Sequence, residues 1–361
     1  MINQYLCRGI FILLACMMGL GAFAQNESSS EEEKPFKLVP VPYLSYDRTL
    51  GFSIGALPMA TFRLSKQDTL SPRSMAGVLG LYTTNKSWFT MAFTKLYFNK
   101  DNWRFLAGAG VGDFNYQFFL SAPINSFIEY NTAAKFFKVE LQRKVVDKLY
   151  FGVNYIHTQY DNQFEDVKPD DGSTPLETQT NLNGVGAILT YDNRPSVYYP
   201  YSGFYTNLRY FSFPSAFDNE YVSNKLTFDF DHFFSVRGGQ DVIASRVYLG
   251  LGLGDISFNQ QFNVGGVDIR GYTDGKYRGD IMYSVQGEYR WNLHNKISLV
   301  GFLGVASVFE STNEDQNGKL LPGLGLGFRY KVFEEEHMNV GIDGAVGDGD
   351  WGIYFRIGEA F

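Results

Sequence analysis

The residues of this chain that could do chemistry are few, and their spacing favours structural roles. Gly51-Phe52-Ser53-Ile54-Gly55 matches the G-x-S-x-G pattern of a serine nucleophile, which works only at a sharp turn from a strand into a helix. Here the pattern lies inside a continuous alternating segment, so Ser53 is predicted to be an ordinary strand residue. The histidines are scattered without metal-ligand spacing, at positions 157, 232, 294 and 337. The sequence therefore predicts no catalytic residue, no metal, no cofactor and no enzymatic activity.

The segment from Ile281 to Asn292 shows how the rest of the chain is built. Its side chains alternate between an apolar set, which includes Tyr283 and Val285, and a polar set, which includes Gln286 and Glu288. Successive side chains of a β-strand point to opposite faces, so one face is suited to hydrocarbon and the other to water or ion pairs.

The first 24 residues have the pattern of a cleaved secretory signal. Arg8 supplies a positive charge, residues 9–20 are apolar, and Ala22-Phe23-Ala24 forms an A-x-A cleavage site before Gln25. The sequence predicts export and a mature protein that begins at Gln25.

An alternative interpretation of this segment is a lipobox, Leu13-Leu14-Ala15-Cys16, which would leave a lipidated Cys16. The apolar residues 17–24 favour the first interpretation, because they continue the apolar region of a signal. Both cysteines, Cys7 and Cys16, precede the predicted cleavage site. The mature chain is therefore expected to contain no disulfide and no reactive thiol.

The composition of the chain is typical of a membrane barrel. Aromatic residues make up 17% of the sequence, with 24 Tyr and 33 Phe, and there are 38 Gly. After residue 24 no apolar run reaches the ~18 residues that a spanning helix needs, whereas barrels place apolar residues against lipid and aromatic residues at both interfaces. The net charge of -7 and the absence of a basic run exclude nucleic acid as a partner.

Alternating segments follow one another through the rest of the chain, and about sixteen can be counted. Connections after even-numbered segments are mostly short, whereas several after odd-numbered ones are long and polar, as with short periplasmic turns and long outer loops. The sequence predicts an all-β fold, a transmembrane antiparallel β-barrel, with three parts: a signal peptide (1–24), an acidic flexible periplasmic leader (25–37) and the barrel domain (38–361). The segments are centred on 39–46, 51–64, 74–84, 87–98, 102–114, 127–142, 148–160, 183–192, 203–213, 224–235, 241–254, 281–292, 297–308, 320–331, 338–346 and 351–361.

The charges on individual strands predict which face lines the lumen. Phe228 and Phe230 alternate with Asp229 and Asp231. A basic residue that faces lipid at mid-membrane costs roughly 2–4 kcal/mol, so ionised groups are expected to point inward. The lumen is predicted to be charged, with Arg209 close to Asp229 or Asp231 on the adjacent strand. The alternative is a soluble antiparallel sheet with one wet face, which produces the same alternation.

The motif Ile269-Arg270-Gly271-Tyr272 resembles the signature of the sixth outer loop in the BamA/TamA family of outer-membrane proteins, also called the bacterial surface antigen family. Gly265-Gly266 before the motif and Tyr277-Arg278-Gly279 after it extend the resemblance. The resemblance implies that the loop folds into the barrel lumen and that its arginine pairs with carboxylates on the inner wall. Glu288 lies where the family places one such carboxylate.

The resemblance departs from the family at the second carboxylate. The strand after the one that carries Glu288 has Gly304 at the position where well-known relatives have an acid. Many relatives also carry an aspartate on a later strand, and Asp343 occupies that position here. The resemblance therefore implies two partners for Arg270, which are Glu288 and Asp343.

Other motifs extend the resemblance over nearly all of residues 40–361. The segments 42–47 and 51–55 resemble the opening strand pair of these barrels, and Gly323, Gly325 and Gly327 would clear room for the loop on the inner wall. A periplasmic turn motif is formed by Asp192, Arg194, Pro200 and Gly203.

The end of the chain resembles the signal by which barrel precursors are recognised for insertion. Such signals place apolar residues at alternate positions of a last strand that ends in an aromatic residue. Glu359 departs from this pattern, because an apolar or aromatic residue is usual there. The matching residues are Trp351, Ile353, Phe355, Ile357 and Phe361.

The resemblance implies insertion or translocation of proteins, or of lipids, at the bacterial outer membrane. Family members that assemble proteins usually carry periplasmic POTRA domains, and this sequence is interpreted as a short form without them. The expected partners are outer-membrane lipid and lipopolysaccharide, the assembly machinery with this chain as its client, and unfolded outer-membrane proteins or a periplasmic protein. The alternative function is a passive pore or receptor barrel. A lipid-modifying barrel enzyme is a third and weaker alternative, because the sequence offers no combination of nucleophile, base and orienting residue.

Overall fold

The computed structural model describes residues 36–47, 49–121, 124–164, 176–265, 268–333 and 337–361. The predicted signal peptide, residues 25–35 of the predicted leader, and Gly266 lie outside the described residues. The first strand begins at Phe36, slightly before the predicted start of the barrel. Among the described residues, no helix combines the length and the apolar character that crossing a membrane requires.

Strands make up nearly all of the described fold. Short 3-10 turns occur only in connections. The strands are β1 (Phe36–Asp47), β2 (Gly51–Phe62), β3 (Ser74–Thr83), β4 (Trp88–Phe98), β5 (Trp103–Leu120), β6 (Ser126–Val146), β7 (Leu149–Phe164), β8 (Leu176–Asp192), β9 (Gly203–Phe213), β10 (Ser223–Val236), β11 (Asp241–Gly254), β12 (Phe262–Asn263), β13 (Arg278–Gly279), β14 (Ile281–His294), β15 (Ile297–Phe309), β16 (Leu321–Phe333), β17 (Met338–Gly347) and β18 (Asp350–Ile357).

Sixteen of these strands form a closed antiparallel barrel. Each strand pairs with its neighbour in sequence, β11 pairs with β14, and β1 closes the barrel against β18. The strands β12 and β13 form a separate two-stranded ribbon inside the connection between β11 and β14. The predicted all-β barrel of about sixteen strands is confirmed.

The strand β14 shows how alternation sets the two faces of the wall. Val285 and Trp291 are exposed, whereas Gln286, Glu288 and Arg290 are buried. An exposed apolar stripe on the outside of a closed barrel is the surface that lipid covers. The polar face of β14 is therefore the inner one.

The strands β5 to β8 extend further than predicted. β7 and β8 remain paired out to Phe164 and Leu176, whereas the predicted segments were 148–160 and 183–192 with a polar loop between them. The prediction was wrong there because the ladder is made by backbone groups. Polar side chains such as Asn162 and Thr178 can continue it without an apolar pattern.

The prediction of a charged lumen is wrong for part of the wall. In β4 the large apolar side chains of Phe89, Met91 and Phe93 lie on the less exposed inner face, while Thr90 and Ala92 are exposed on the outer face. Both faces of such a strand tolerate hydrocarbon, so sequence alternation did not reveal which one points inward. The charged inner faces lie mainly on other strands.

Arg209 does not pair with Asp229 or Asp231 as predicted. Its Nη2 donates to Glu140 Oε2 of β6 at 3.0 Å. Asp229 instead accepts a hydrogen bond from Arg246 of β11. The arginine of β11 satisfies the aspartate, and Arg209 instead reaches along the inner face of the wall, past β8 and β7, to β6.

The last residues leave the barrel wall, contrary to the prediction of one continuous stripe. The strand β18 ends at Ile357, and Gly358 turns the chain with φ of +79°. Phe361 then packs against Phe233 and its buried neighbours on the inner side of the wall. Trp351 and Ile353 remain on the exposed stripe. The turn is stabilised by ion pairs of Glu359, described below.

Candidate functional site

The connection between β11 and β14 (residues 255–280), which we call the inner loop, contacts distant parts of the barrel wall. The hydroxyl of Tyr272 donates to the carbonyl of Pro322 in β16 at 2.5 Å. On the other side, the backbone N–H of Phe119 in β5 donates to the carbonyl of Gly275 at 3.2 Å. Because β5 and β16 are far apart in the strand order, the inner loop contacts two well-separated parts of the wall.

Local sequence features shape the inner loop. Ser257 and Gln260 form a capping box at its first turn, and the ribbon of β12 and β13 closes its base. Gly271 has φ of +106°, and a Cβ there would lie 2.5 Å from the backbone carbon of Val346. Only glycine combines this backbone conformation with such a close approach. The apolar side chains of the loop pack in one buried cluster with the wall: Phe262, Val264, Ile269, Tyr272 and Tyr277 with Met282, Ala306, Val308 and Leu321.

Arg270 is fully buried and held by two carboxylates. Its Nη2 lies 2.5 Å from Glu288 Oε1 of β14, and its Nη1 lies 2.6 Å from Asp343 Oδ2 of β17. The guanidinium carbon also lies 3.3 Å from the ring centroid of Phe302 in β15. The structure thus brings Arg270 together with both carboxylates that the resemblance implied. Charge-assisted hydrogen bonds of this kind are among the stronger ones in proteins.

The two carboxylates belong to a closed ring of alternating charges, which we call the ion-pair ring. From Glu288 the ring continues to Arg290 at 3.2 Å, and from Arg290 to Glu359 at 3.8 Å. Glu359 lies 3.2 Å from Arg329, which lies 2.5 Å from Asp343. Each side chain of the ring is almost completely buried, and each charge has partners of opposite sign on both sides. The six members are Arg270, Glu288, Arg290, Glu359, Arg329 and Asp343.

The ion-pair ring connects separate elements of the barrel. It joins the inner loop to β14, β16 and β17, and through Glu359 to the segment that follows β18. Arg356 of β18 adds a further cation, with its Nε 3.2 Å from Asp343. Removing one partner of a buried pair typically costs about 3–5 kcal/mol. The loop and the end of the chain are therefore coupled through the same charges.

The three predicted glycines of β16 have different neighbours. A Cβ on Gly323 would lie 2.5 Å from the carbonyl oxygen of Arg270, so this glycine gives the loop its place on the wall. Gly325 faces the ring of Phe302, and Gly327 faces Asp343. Only the first glycine receives the inner loop directly, while the other two make room for the groups that hold Arg270.

Sequence reasoning missed several residues of the site. Asp350 accepts from the backbone N–H and hydroxyl of Thr273, at 2.8 and 2.7 Å. The hydroxyl of Tyr354 accepts from the N–H of Gly271 at 2.9 Å. Arg329, a member of the ion-pair ring, is a third residue that was not predicted. A charged residue at an inward-facing position of a strand is a candidate site residue. This rule would have identified Arg329, as it identified Glu288.

The predicted turn motif lies between β8 and β9. Asp192 Oδ1 accepts from Arg194 Nε at 2.8 Å, and Asp192 Oδ2 from Arg104 Nη1 at 2.9 Å. The carbonyl of Pro200 accepts from Arg290 Nη1 at 3.3 Å. Gly203 has φ of +81° at the start of β9. The turn therefore contacts the same arginine as the ion-pair ring.

The seam between β1 and β18 differs from the other strand pairs. The two strands share a single register pair, Tyr46 with Ile353, whereas β1 pairs with β2 over its whole length. Aromatic contacts bridge the seam, with the rings of Tyr46 and Trp351 stacked at 5.0 Å and those of Tyr43 and Phe355 edge-on at 5.1 Å. Side chains, more than backbone hydrogen bonds, hold this seam closed.

Comparison with protein families gives one decisive match. Residues 74–361 match the Omp85 superfamily domain. The chain belongs to the Omp85 superfamily. Its members are transport or assembly proteins rather than enzymes, and their β-barrels lie in outer membranes. No curated protein matches the sequence.

Solved structures share the barrel fold at low sequence identity. BamA from Haemophilus ducreyi, lacking POTRA domains 1–3, superposes with a TM-score of 0.58 at 13% identity, over 90% of this chain and 70% of that one. CdiB from Escherichia coli gives a TM-score of 0.64 at 11% identity, over 91% of this chain and 63% of that one. CdiB from Acinetobacter baumannii gives 0.57 at 12% identity, over 91% and 60%. The chain spans less than two thirds of both CdiB structures.

Proposed function

We propose that this barrel inserts proteins into, or translocates them across, the outer membrane through its β1–β18 seam, with the inner loop holding the wall beside the seam. The seam carries the proposal, because β1 and β18 share only one register pair. Once that pair opens, both strand edges can bind a strand of another protein. Antiparallel edges readily accept an added strand through backbone hydrogen bonds. The two aromatic pairs across the seam can separate without the loss of a long series of backbone hydrogen bonds.

The ion-pair ring supports the same proposal. It fixes β14, β16 and β17 to the inner loop, and it reaches the segment after β18 through Glu359. The ring gives the barrel a rigid side and leaves β1 outside the network. Opening at the seam is then the motion that disturbs the fewest buried charges.

A passive pore is the alternative function, and the inner loop argues against it. The loop contacts both β5 and β16 and packs a buried apolar cluster against the wall. An open aqueous channel needs a lumen free of such a crossing segment.

A disulfide lock across the seam tests the proposal. Tyr46→Cys with Ile353→Cys joins β1 to β18, because facing residues of antiparallel strands lie within disulfide reach. The matched control, Gly344→Cys with Ile353→Cys, uses the same residue to join β17 to β18. Proteoliposomes that contain each variant are mixed with a urea-unfolded eight-stranded outer-membrane protein, and its folding rate is followed by gel mobility.

We expect oxidation to abolish the acceleration of folding by the seam variant, reduction to restore it, and the control to stay active in both states. Equal acceleration by the oxidised and reduced seam variants would contradict insertion through the seam.

A further inference from the structure

Part of the inner wall between β1 and β6 is apolar, in contrast to the charged walls described above. A buried cluster begins at the seam with Val41, continues through Leu57 and Met59 of β2, and reaches Met75 and Phe93. Phe355 and Ile357 of β18 pack against the same cluster. A continuous apolar cluster, which Met338 and Val340 of β17 also cover, therefore extends from the seam to Phe93 of β4.

An apolar cavity of about 360 Å³ lies at the far end of this surface. Such a volume is within the range of small-molecule sites, which are mostly apolar with a few placed polar groups. Met91 and Phe93 of β4 line one side, and Phe136 of β6 lines another. Two lysines, Lys95 and Lys138, contribute the aliphatic parts of their side chains to the lining, which is wholly apolar.

The charges at this cavity have an excess of positive sign. Glu140 Oε2 lies 3.0 Å from Arg209 and 3.7 Å from Lys138, so one carboxylate serves two cations. Within the described ranges Lys95 has no carboxylate at ion-pair distance, and its ammonium lies 5.5 Å from the ring centroid of Tyr97. An anionic group placed here would meet the cations that Glu140 leaves uncompensated.

We propose that this cavity binds an anionic phospholipid, with an acyl chain against Met91, Phe93 and Phe136 and the phosphate at the ammonium groups of Lys95 and Lys138. The combination of an apolar cavity and an adjacent positive excess matches an amphiphile with an acidic headgroup. This inference deepens the proposed function, because it names a lipid that the seam would admit from the membrane.

An apolar peptide fits the cavity less well. The strands β3 to β6 are fully paired with their neighbours around the cavity, so their backbones offer no free edge. A peptide would bring its own N–H and C=O groups into an apolar site without partners, which is costly. An acyl chain has no such groups.

Photo-crosslinking in nanodiscs tests the site directly, and it needs no client protein. The full chain is placed in nanodiscs that contain phosphatidylglycerol with a diazirine on the acyl chain, and the labelled residues are mapped by mass spectrometry. Parallel samples contain phosphatidylcholine with the same diazirine chain, the corresponding free fatty acid, or a photoreactive apolar peptide. We expect phosphatidylglycerol to label Met91 and Phe93 on the inner face of β4.

Two variants and one control make the assignment specific. Gly108→Leu fills the cavity, since a Cβ there meets its neighbours at ordinary distances of 3.6 Å or more. Gly80→Leu is the control on the outer face of β3, where a Cβ meets nothing within 4 Å. Lys95→Gln with Lys138→Gln removes the positive charges. Heat-modifiable gel mobility verifies that each variant is folded.

We expect inner labelling to disappear in Gly108→Leu, to persist in Gly80→Leu, and to fall roughly tenfold in the double lysine variant, as for loss of hydrogen bonds to a charged group. Labelling confined to outward residues such as Thr90 and Ala92, equal labelling by phosphatidylcholine, or preferential labelling by the fatty acid or the peptide would overturn the proposal. Inner labelling alongside a failed seam lock would instead overturn only the proposed function.

Discussion

Glu359 Oε2 lies 3.2 Å from Arg329 Nε and closes the ion-pair ring between the end of the chain and the inner loop. The sequence pattern marked Glu359 as an anomaly in an otherwise apolar terminal stripe. The structure gives the reason, since the carboxylate turns away from lipid and is almost fully buried among arginines and Asn339. A residue that would be costly on the outer face has become part of the inner network.

The first prediction concerns Arg270. Arg270→Ala leaves a buried void between Glu288 and Asp343, and we expect the inner loop to lose about 3–5 kcal/mol of anchoring. Hydrogen exchange of the backbone amides of residues 268–280 measures this loss. Arg237→Ala is the matched control, because Arg237 also pairs with an aspartate at 2.8 Å but is half-exposed, where solvent weakens such pairs. Unchanged protection of the loop in Arg270→Ala would refute its anchoring role.

The second prediction concerns Glu359. Glu359→Gln keeps the shape of the side chain but removes the charge that faces Arg329 and Arg290. We expect the segment 358–361 to detach from the inner wall and to become accessible to carboxypeptidase in the folded barrel. Glu314→Gln, in the connection after β15, is the control and should leave cleavage unchanged. Equal resistance of Glu359→Gln and the parent protein would show that apolar contacts of Phe361 suffice.

The third prediction concerns Gly323. Gly323→Ala places a Cβ 2.5 Å from the carbonyl oxygen of Arg270, so the loop must move away from β16. We expect the inner loop to lose protection from hydrogen exchange, as in Arg270→Ala. In Gly323→Ala, however, the ion pairs of Arg270 can still form. Gly301→Ala on β15 is the control, since its nearest neighbour would be 3.7 Å away. Loop protection that is the same in both variants would rule out a steric role for Gly323.

The fourth prediction concerns pH. Burial raises the pKa of Asp268, in the inner loop, to about 6, and Arg246 offsets only part of this effect. Asp229 reinforces the rise and Arg356 opposes it. Because a carboxyl in a released loop has a pKa near 3.9, the docked loop binds the proton more tightly than the released loop. Docking therefore strengthens as pH falls below about 6, and weakens again as pH rises.

We expect the protection factors of residues 269–280, corrected for intrinsic exchange, to increase between pH 7 and pH 5 by ~1 kcal/mol. Asp268→Asn should reduce this dependence, and the part that remains is expected from Asp274, whose pKa burial also raises. Asp348→Asn, at an exposed position, should retain it. A decrease of protection over the same interval would contradict the assigned role of Asp268.

Strand alternation predicted most of the fold because lipid selects one face of each strand. On β14 the separation of Val285 from Glu288 was visible in the sequence, and the structure has the same two faces. It failed on β4, where Phe93 and Ala92 are both compatible with hydrocarbon. Alternation identifies a face only when the two faces differ in polarity.

The long-range pairs could be predicted only where a family resemblance supplied them. Arg270, Glu288 and Asp343 are far apart in sequence, and no local pattern relates them. Arg209 shows the limit of local reasoning, since its partner Glu140 lies three strands away on β6 rather than on the adjacent strand. Pairing across a closed barrel depends on its curvature and on which side chains reach inward, and neither can be read from spacing.

The burial of the ion-pair ring has a consequence for the media that this barrel tolerates. Mobile ions screen exposed charges over about 10 Å at 0.1 M salt, but they screen buried pairs much less. The exposed ion pair of Lys319 and Asp348, at 3.1 Å, will weaken at high salt concentration. The buried ion pairs that join the inner loop to the end of the chain will change little between low and high salt concentration.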